Sequence, residues 1–310
     1  MNQPRDISPE PNHQSTSGTA PHTAPLVSIG MPVFNEARFI KEALNTLIAQ
    51  SYTNIEILVS DNASTDDTYL ICEQYRNEHP RIRIQRFESN QGAAANFRHT
   101  LAQSTGKYFM WAAGHDRWSH DYIEKCVETL EMNPSASLAF ASTLWIDDKG
   151  NPYPKSTGWT DTRGLDIISR FFVVFWGNMN PVLGLIRRSY LKENDFKDII
   201  GADLVLLTQL ALKGDFIHAE GATWNRREFR SETSYAQKVK RYTSKEYQLT
   251  KSILDKIAPL AKLPIALAQA VFRSDHPTPI KIVIAFALLT SLPAKYFSGK
   301  YLANHGKASS

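Results

Sequence analysis

The chain has 310 residues, 42% hydrophobic and 21% charged, with a formal net charge of +4. That length suits one large domain or two modest ones. Its two cysteines, Cys72 and Cys126, make no disulfide framework, and no Cys/His cluster points to zinc. From Pro259 onward six Lys and Arg residues stand against Asp275 alone, so this segment carries +5 and residues 1–258 sum to −1. The body therefore gives no reason to expect nucleic-acid binding.

Residues 1–25 are polar and rich in Pro, Ser, Thr and His, with no apolar signal-peptide core, and read as a disordered leader. Strand and helix signals then alternate. Leu26–Met31 is a short apolar run, the mark of a buried parallel strand. Ala37–Gln50 places Phe39, Ile40, Ala43, Leu44, Leu47 and Ile48 on one helical face. Strands are expected at Ile55–Ser60, Ile82–Phe87, Tyr108–Ala112 and Leu138–Ile146, with helices at Asp67–His79, Ala93–Gln103 and Asp121–Met132. This alternation predicts an α/β fold: a mostly parallel sheet with helices on both faces, binding ligands beyond the carboxyl ends of its strands. The loops Pro32–Glu36, Asp61–Asp66 and Ala113–Ser119 fall at such ends.

Asp147–Asn151 reads as a turn. Beyond it, helices are expected at Leu165–Trp176, at Ala202–Lys213 ending on Gly214, and at Val239–Ile257, with strands at Val182–Ile186 and Phe216–Ala219. The basic tail holds two apolar segments, Leu263–Phe272 and Ile280–Leu292, each shorter than the roughly 20 residues that span a bilayer. They read equally as helices packed on the domain or as a pair lying on an anionic membrane.

Asp61, at a strand end, can accept a hydrogen bond from a nucleotide base or ribose, or simply form an Asx turn. Asp66 and Asp67 sit where a helix start favours caps and acids. "PVFNE", residues 32–36, is no glycine-rich dinucleotide loop, which argues against a nicotinamide or flavin enzyme. "NQGAAANFR", residues 90–98, gives a turn with a permissive glycine, then a helix.

In this order, "VSIGMPVFNE", "SYTNIEILVSDNASTDDT", "NQGAAANF" and "GKYFMWAAGHD" resemble the nucleotide-sugar-binding half of family 2 glycosyltransferases. The resemblance is strong over Val27 to about Leu130 and looser to about Arg230. It implies a GT-A fold with a mixed, mostly parallel central sheet, a nucleotide-sugar donor, a Mg²⁺ or Mn²⁺ ion and inversion at the anomeric carbon. It also implies one glycosyltransferase domain over 26–258, with a nucleotide-sugar half at 26–146 and an acceptor half at 147–258, followed by a basic amphipathic helical tail at 259–310. By motif position Pro32, Phe34 and Glu36 line the nucleotide pocket, Asp61 meets the base, and Asn90 and Gly92 shape the wall.

Relatives commonly carry Asp-x-Asp-Asp where this chain has Ala113, Gly114, His115 and Asp116. Asp116 is the expected metal ligand. His115 is a second ligand, a ribose contact or a loop residue. Mg²⁺ and Mn²⁺ often take only one or two protein carboxylates, with diphosphate oxygens and waters completing the shell. Replacing Asp116 by Ala is expected to spare the fold. "GADLVLLTQLALKG" resembles the segment where relatives hold a catalytic carboxylate, which makes Asp203 the base candidate, with helix capping as the alternative. Arg226, Arg227 and Arg230 are candidates for stabilising the leaving diphosphate.

The expected activity is inverting transfer of a sugar, hexosyl by resemblance, to an acceptor hydroxyl of a glycan or lipid-linked molecule in surface-polysaccharide assembly. The expected location is cytoplasmic, peripheral on the inner membrane face through the tail, with no nucleic-acid partner. Two other readings stand beside it: a catalytically weakened nucleotide-binding or scaffold protein of the same fold, and a nucleotidyltransferase, which would usually show a basic glycine-rich loop where "PVFNE" stands.

Overall fold

A computed structural model describes residues 24–155, 158–229 and 260–305, with side chains in the last segment described to Lys295. The leader before residue 24, the expected helix Val239–Ile257 and Arg230 lie outside the described residues.

The first half follows the predicted alternation: β1 (Val27–Val33), α1 (Ile40–Ile48), β2 (Ile55–Asp61), α2 (Thr68–Glu78), β3 (Ile82–Arg86), α3 (Ala93–Ala102) and β4 (Tyr108–Trp111). Then come a two-residue strand β5 (Arg117–Trp118), α4 (Tyr122–Met132), β6 (Ala136–Ile146), α5 (Ile167–Trp176), β7 (Leu185–Arg187), α6 (Ala202–Lys213) and β8 (Asp215–Arg227). Helices α7 (Lys262–Phe272) and α8 (Thr278–His305) follow.

The strands form one eight-stranded sheet in the order β3-β2-β1-β4-β7-β6-β8-β5. β3, β2, β1 and β4 are parallel neighbours. β7 reverses direction against both β4 and β6, β8 runs parallel to β6, and β5 runs antiparallel to β8. The apolar runs of β1 and β4 lie inside because helices cover both faces. β3 lies at one edge and carries the polar Arg83, Gln85 and Arg86. One core cluster joins β1, β2, α1 and α4, and a second packs α6 on β4, β6 and β7. A third joins α5 and α6 to α7 and α8.

Five elements depart from the sequence expectation, the first being β5, which lies inside the expected loop Ala113–Ser119. α1 begins at Ile40 instead of Ala37, because Asn35 takes a left-handed conformation (φ 55°) and the chain turns before it coils. The expected strand Val182–Ile186 is split: Asn180–Leu183 is a 3-10 turn with Pro181 at its start, and only Leu185–Arg187 pairs. β8 has 13 residues where four were expected. Its pairing with β6 slips between His218 and Thr223, around Gly221 at φ 76°, and then resumes, so a strand end was read where there is a bulge. α8 is a 28-residue helix with Pro293 inside it, so it is long enough to cross a bilayer, contrary to the shorter apolar run seen in sequence.

Candidate functional site

The loops after β1 and β2 are locked together at the carboxyl edge of the sheet. Asn35 N–H donates to Ser64 Oγ (2.9 Å), and Thr65 N–H donates to Asn35 Oδ1 (2.8 Å). Glu36 N–H donates to Thr68 Oγ1 (2.7 Å). Ala63 shares the left-handed conformation of Asn35, at φ 59°. Such backbone costs of order 1 kcal/mol or more for a non-glycine residue and persists where neighbours over-determine it. From below, Asn96 of α3 donates through Nδ2 to the carbonyls of Val33 (3.2 Å) and Ser60 (3.0 Å), tying the two strand ends.

Pro32, next to the last residue of β1, lies opposite Ser60, and Phe34 follows the strand half-buried. Asp61 is wholly buried at the end of β2. Ser64 N–H reaches both its oxygens (3.3 and 3.2 Å), and Arg86 Nε lies 3.1 Å from Oδ2. Burial pushes its carboxyl above the usual range, while the Ser64 bonds and Arg86 oppose the shift. Asn90 Oδ1 accepts from Gly92 N–H (2.8 Å) and Asn62 Nδ2 (3.0 Å), and Gly92 opens α3 at φ 86°.

After β4, His115 Nδ1 lies 2.9 Å from Glu36 Oε1, and its ring meets Phe229 edge-on at 5.0 Å. Asp116 is 1% exposed. Its Oδ1 accepts from Arg227 N–H (2.9 Å) and its Oδ2 from Trp224 Nε1–H (3.0 Å). Burial pushes this carboxyl up too, opposed first by His115. Asp116 is therefore a clamp between the β4 loop and β8. Among the described residues no group of three or more His, Cys, Asp or Glu is placed to hold a metal ion. His115 and Asp116, with Nε2 3.9 Å from Oδ1, are what remains of the acidic loop.

β8 sends its two arginines to opposite faces, as alternation demands. Arg227, 5% exposed, donates through Nε to His115 O (2.9 Å), through Nη1 to Asp147 O (3.1 Å) and through Nη2 to Glu42, and lies over Phe39. Its guanidinium holds the loops, so the expected diphosphate role does not fit its contacts. Arg226 faces the other way. Its guanidinium lies over Trp145 (4.8 Å) and Trp224 (5.6 Å) and donates to Asn180 Oδ1. Its charge opposes the rise that burial imposes on the Asp116 and Asp203 carboxyls.

Asp203 lies in the first turn of α6, where its Oδ1 accepts from Leu204 N–H (2.9 Å). It is not the cap: Gly201, in the left-handed conformation, holds that position. Burial raises its carboxyl, with Arg226 and Lys295 of α8 opposing. Beside Arg226 opens a cavity of about 270 Å³, lined among others by Trp159, Asn178, Asn180, Thr143, His218 and Trp224.

The structure thus links Glu36 to His115 and His115 to Asp116, and the charge of Arg226 acts on both Asp116 and Asp203. Sequence reasoning missed Asn35, Asn96, Asn180, Trp145, Trp224 and Lys295. No local pattern marks them, because each acts through a partner far along the chain.

A family model described as glycosyl transferase family 2 matches residues 28–194, more than half of the chain. The chain belongs to glycosyl transferase family 2. TuaG of Bacillus subtilis, named for teichuronic acid biosynthesis, is 30% identical over 131 residues, 42% of this chain and 52% of that protein. Chondroitin synthase of Escherichia coli is 29% identical over 136 residues, 44% of this chain and 20% of that protein. The chain spans about half the length of TuaG and a fifth of the synthase. Among solved structures, S. aureus TarS 1–349 in complex with UDP-GlcNAc superposes with a TM-score of 0.65 at 18% identity, over 88% of this chain and 73% of that one. The mannosyltransferase PcManGT of Pyrobaculum calidifontis, in complex with GDP-Man and Mn²⁺, gives 0.55 at 19% identity, over 98% and 91%. The family 2 chain has the GT-A-type fold: a mixed, mostly parallel sheet flanked by helices.

Proposed function

We propose that this family 2 chain transfers a sugar, hexosyl by family resemblance, from a nucleotide-sugar donor to an acceptor hydroxyl with inversion, in the assembly of a surface polysaccharide. The observation that carries the reading is Arg226, a guanidinium held by Trp145, Trp224 and Asn180 whose positive charge acts on both the Asp116 and the Asp203 carboxyl. Inversion in one displacement needs a base on the acceptor side and charge stabilisation on the leaving-group side, and Asp203 and Arg226 offer that pair.

The nucleotide lies along Pro32, Phe34, Glu36, Asp61, Asn90 and Gly92. Asp203 takes the proton from the acceptor hydroxyl as its oxygen bonds to the anomeric carbon. The bond from that carbon to the diphosphate oxygen breaks, and Arg226 stabilises the charge that collects there. Arg230 is proposed as a second cation for the diphosphate. The described residues build no carboxylate cage, but an ion entering with a donor diphosphate needs only one or two protein ligands, and His115 and Asp116 are the pair that would supply them. Mg²⁺ or Mn²⁺ bound there would neutralise diphosphate charge. Calorimetry of UDP and GDP binding with Mn²⁺ and with EDTA checks this part, and equal affinity in the two sets it aside.

Transfer and donor hydrolysis across a nucleotide-sugar panel test the activity. Arg226→Gln is expected to lower kcat about 10²-fold, in line with removal of one preorganised donor to a developing oxyanion. Unchanged kcat in the variant would remove Arg226 from the mechanism. The engaged Asp116 oxygens favour one competing reading, a nucleotide-binding scaffold. It predicts nucleotide binding with no turnover of any donor.

A further inference from the structure

We propose that α7 and α8 form a platform that seats the protein on an anionic bilayer surface, with α8 lying in the interface and not crossing it. The inference goes beyond glycosyl transfer and rests on the surface alone.

Successive helical side chains advance by roughly 100°, so residues spaced three and four apart share a face. On α8 one face carries Ile284 (1% exposed) and Leu288 (4%), which pack with Leu267 and Val271 of α7, Phe171 and Phe175 of α5 and Val205 of α6. The opposite face carries Ile282 (56% exposed), Phe286 (71%) and Leu289 (70%), flanked by Val283 (48%). α7 repeats the arrangement, burying Leu267 and Val271 and exposing Ile265 (61%) and Phe272 (53%). Large apolar side chains grouped in this way on a soluble face mark an interaction surface, unlike single exposed leucines.

Charge selects the occupant. Lys262 and Arg273 bracket α7, and Lys281 lies at the start of α8 with its ammonium 3.2 Å from Phe272 O. Asp275 is the one acid from Pro259 to the end of the chain. Apolar faces rimmed by cations suit a surface of anionic headgroups.

Hydropathy alone permits a spanning helix over Thr278–Lys295. The packed face argues for the interface: inserting α8 across a bilayer would strip Ile284 and Leu288 from the α5–α6–α7 cluster. The same inner face brings Lys295 over Phe175 (5.4 Å) and Trp176 (5.7 Å), within electrostatic reach of Asp203. One helix thus faces lipid on one side and the acceptor half of the proposed site on the other.

The test is sedimentation of the full chain with vesicles of phosphatidylcholine alone or mixed with phosphatidylglycerol. Wild type is expected to bind the anionic vesicles at least tenfold more tightly than the zwitterionic ones, and to be released by alkaline carbonate. The triple variant Ile282→Ser, Phe286→Ser, Leu289→Ser and the double variant Lys262→Glu, Arg273→Glu are each expected to lose tenfold or more. Because these positions face outward, circular dichroism and Tm should match wild type. Three results would overturn the proposal: no preference for anionic vesicles, retention through carbonate, or wild-type binding by the folded triple variant. A wild-type dimer in light scattering that the triple variant turns into a monomer, without vesicle binding, would do the same by giving the face to a second copy. None of these readouts depends on sugar transfer, so failure here leaves the proposed activity standing, and the reverse.

Discussion

Asp203→Asn is expected to keep its melting temperature and its nucleotide affinity while losing sugar transfer by about 10²–10⁴-fold, the usual worth of general-base catalysis. The structure sharpens this experiment. Gly201 occupies the cap position of α6, so Asp203 is not needed to start the helix. Its Oδ1 accepts from Leu204 N–H, a bond that an asparagine Oδ1 can also accept. Asparagine cannot take a proton at neutral pH. The pH profile gives a second readout. Burial raises the Asp203 carboxyl above its ordinary value, with Arg226 and Lys295 pulling against the rise. A base must be deprotonated to act, so activity should fall as pH drops through that raised value, with an acid limb above the ordinary carboxylate range. Near wild-type transfer by Asp203→Asn would place the base elsewhere.

Asp116→Ala is expected to destabilise the fold by about 3 kcal/mol, because two buried donors, Trp224 Nε1–H and Arg227 N–H, lose their acceptor at a cost of about 1–3 kcal/mol each. For a domain of this size that corresponds to a drop in Tm of roughly 6–12 °C by differential scanning calorimetry. This reverses the sequence-based expectation that the substitution would spare the fold. Part of the loss is offset, because burial already penalises the ionised carboxylate. A carboxyl whose folded pKa is raised contributes less stability as pH climbs from the ordinary carboxylate range through that value, so the gap between wild type and variant should narrow over that window and stay level above it. His115→Ala removes a partly exposed partner of Glu36 and should cost under 1 kcal/mol. An Asp116→Ala protein with the Tm of wild type would show that the clamp carries no stability.

The first half of the fold was legible because its signals are local. Buried parallel strands must be short apolar runs, and the helices that cover them must show one apolar face, so β1 to β4 and α1 to α4 could be placed within a few residues. The second half was less so. β8 was cut to four residues because Gly221 looks like an end, and only its pairing with β6 reveals a bulge. The apolar run in α8 stopped at Leu292, yet the helix continues past Pro293 to His305.

The candidate site divides in the same way. The motifs at strand ends and at a helix start, through the family resemblance they carry, singled out Glu36, Asp61, Asp116 and Asp203 as the candidate carboxylates. What each one touches was decided by tertiary structure. Arg226 and Arg227 are adjacent in sequence and equivalent in composition. Strand alternation sends Arg227 into the loops, where His115, Asp147 and Glu42 use its donors, and turns Arg226 toward Asn180, Trp145 and Trp224. Asp116 became a clamp because Trp224 and Arg227, over a hundred residues away, arrive beside it on a strand that sequence periodicity did not extend that far. Local chemistry sets what a side chain is able to do, and partners brought from distant parts of the chain, with the burial they impose, decide which of those roles it takes.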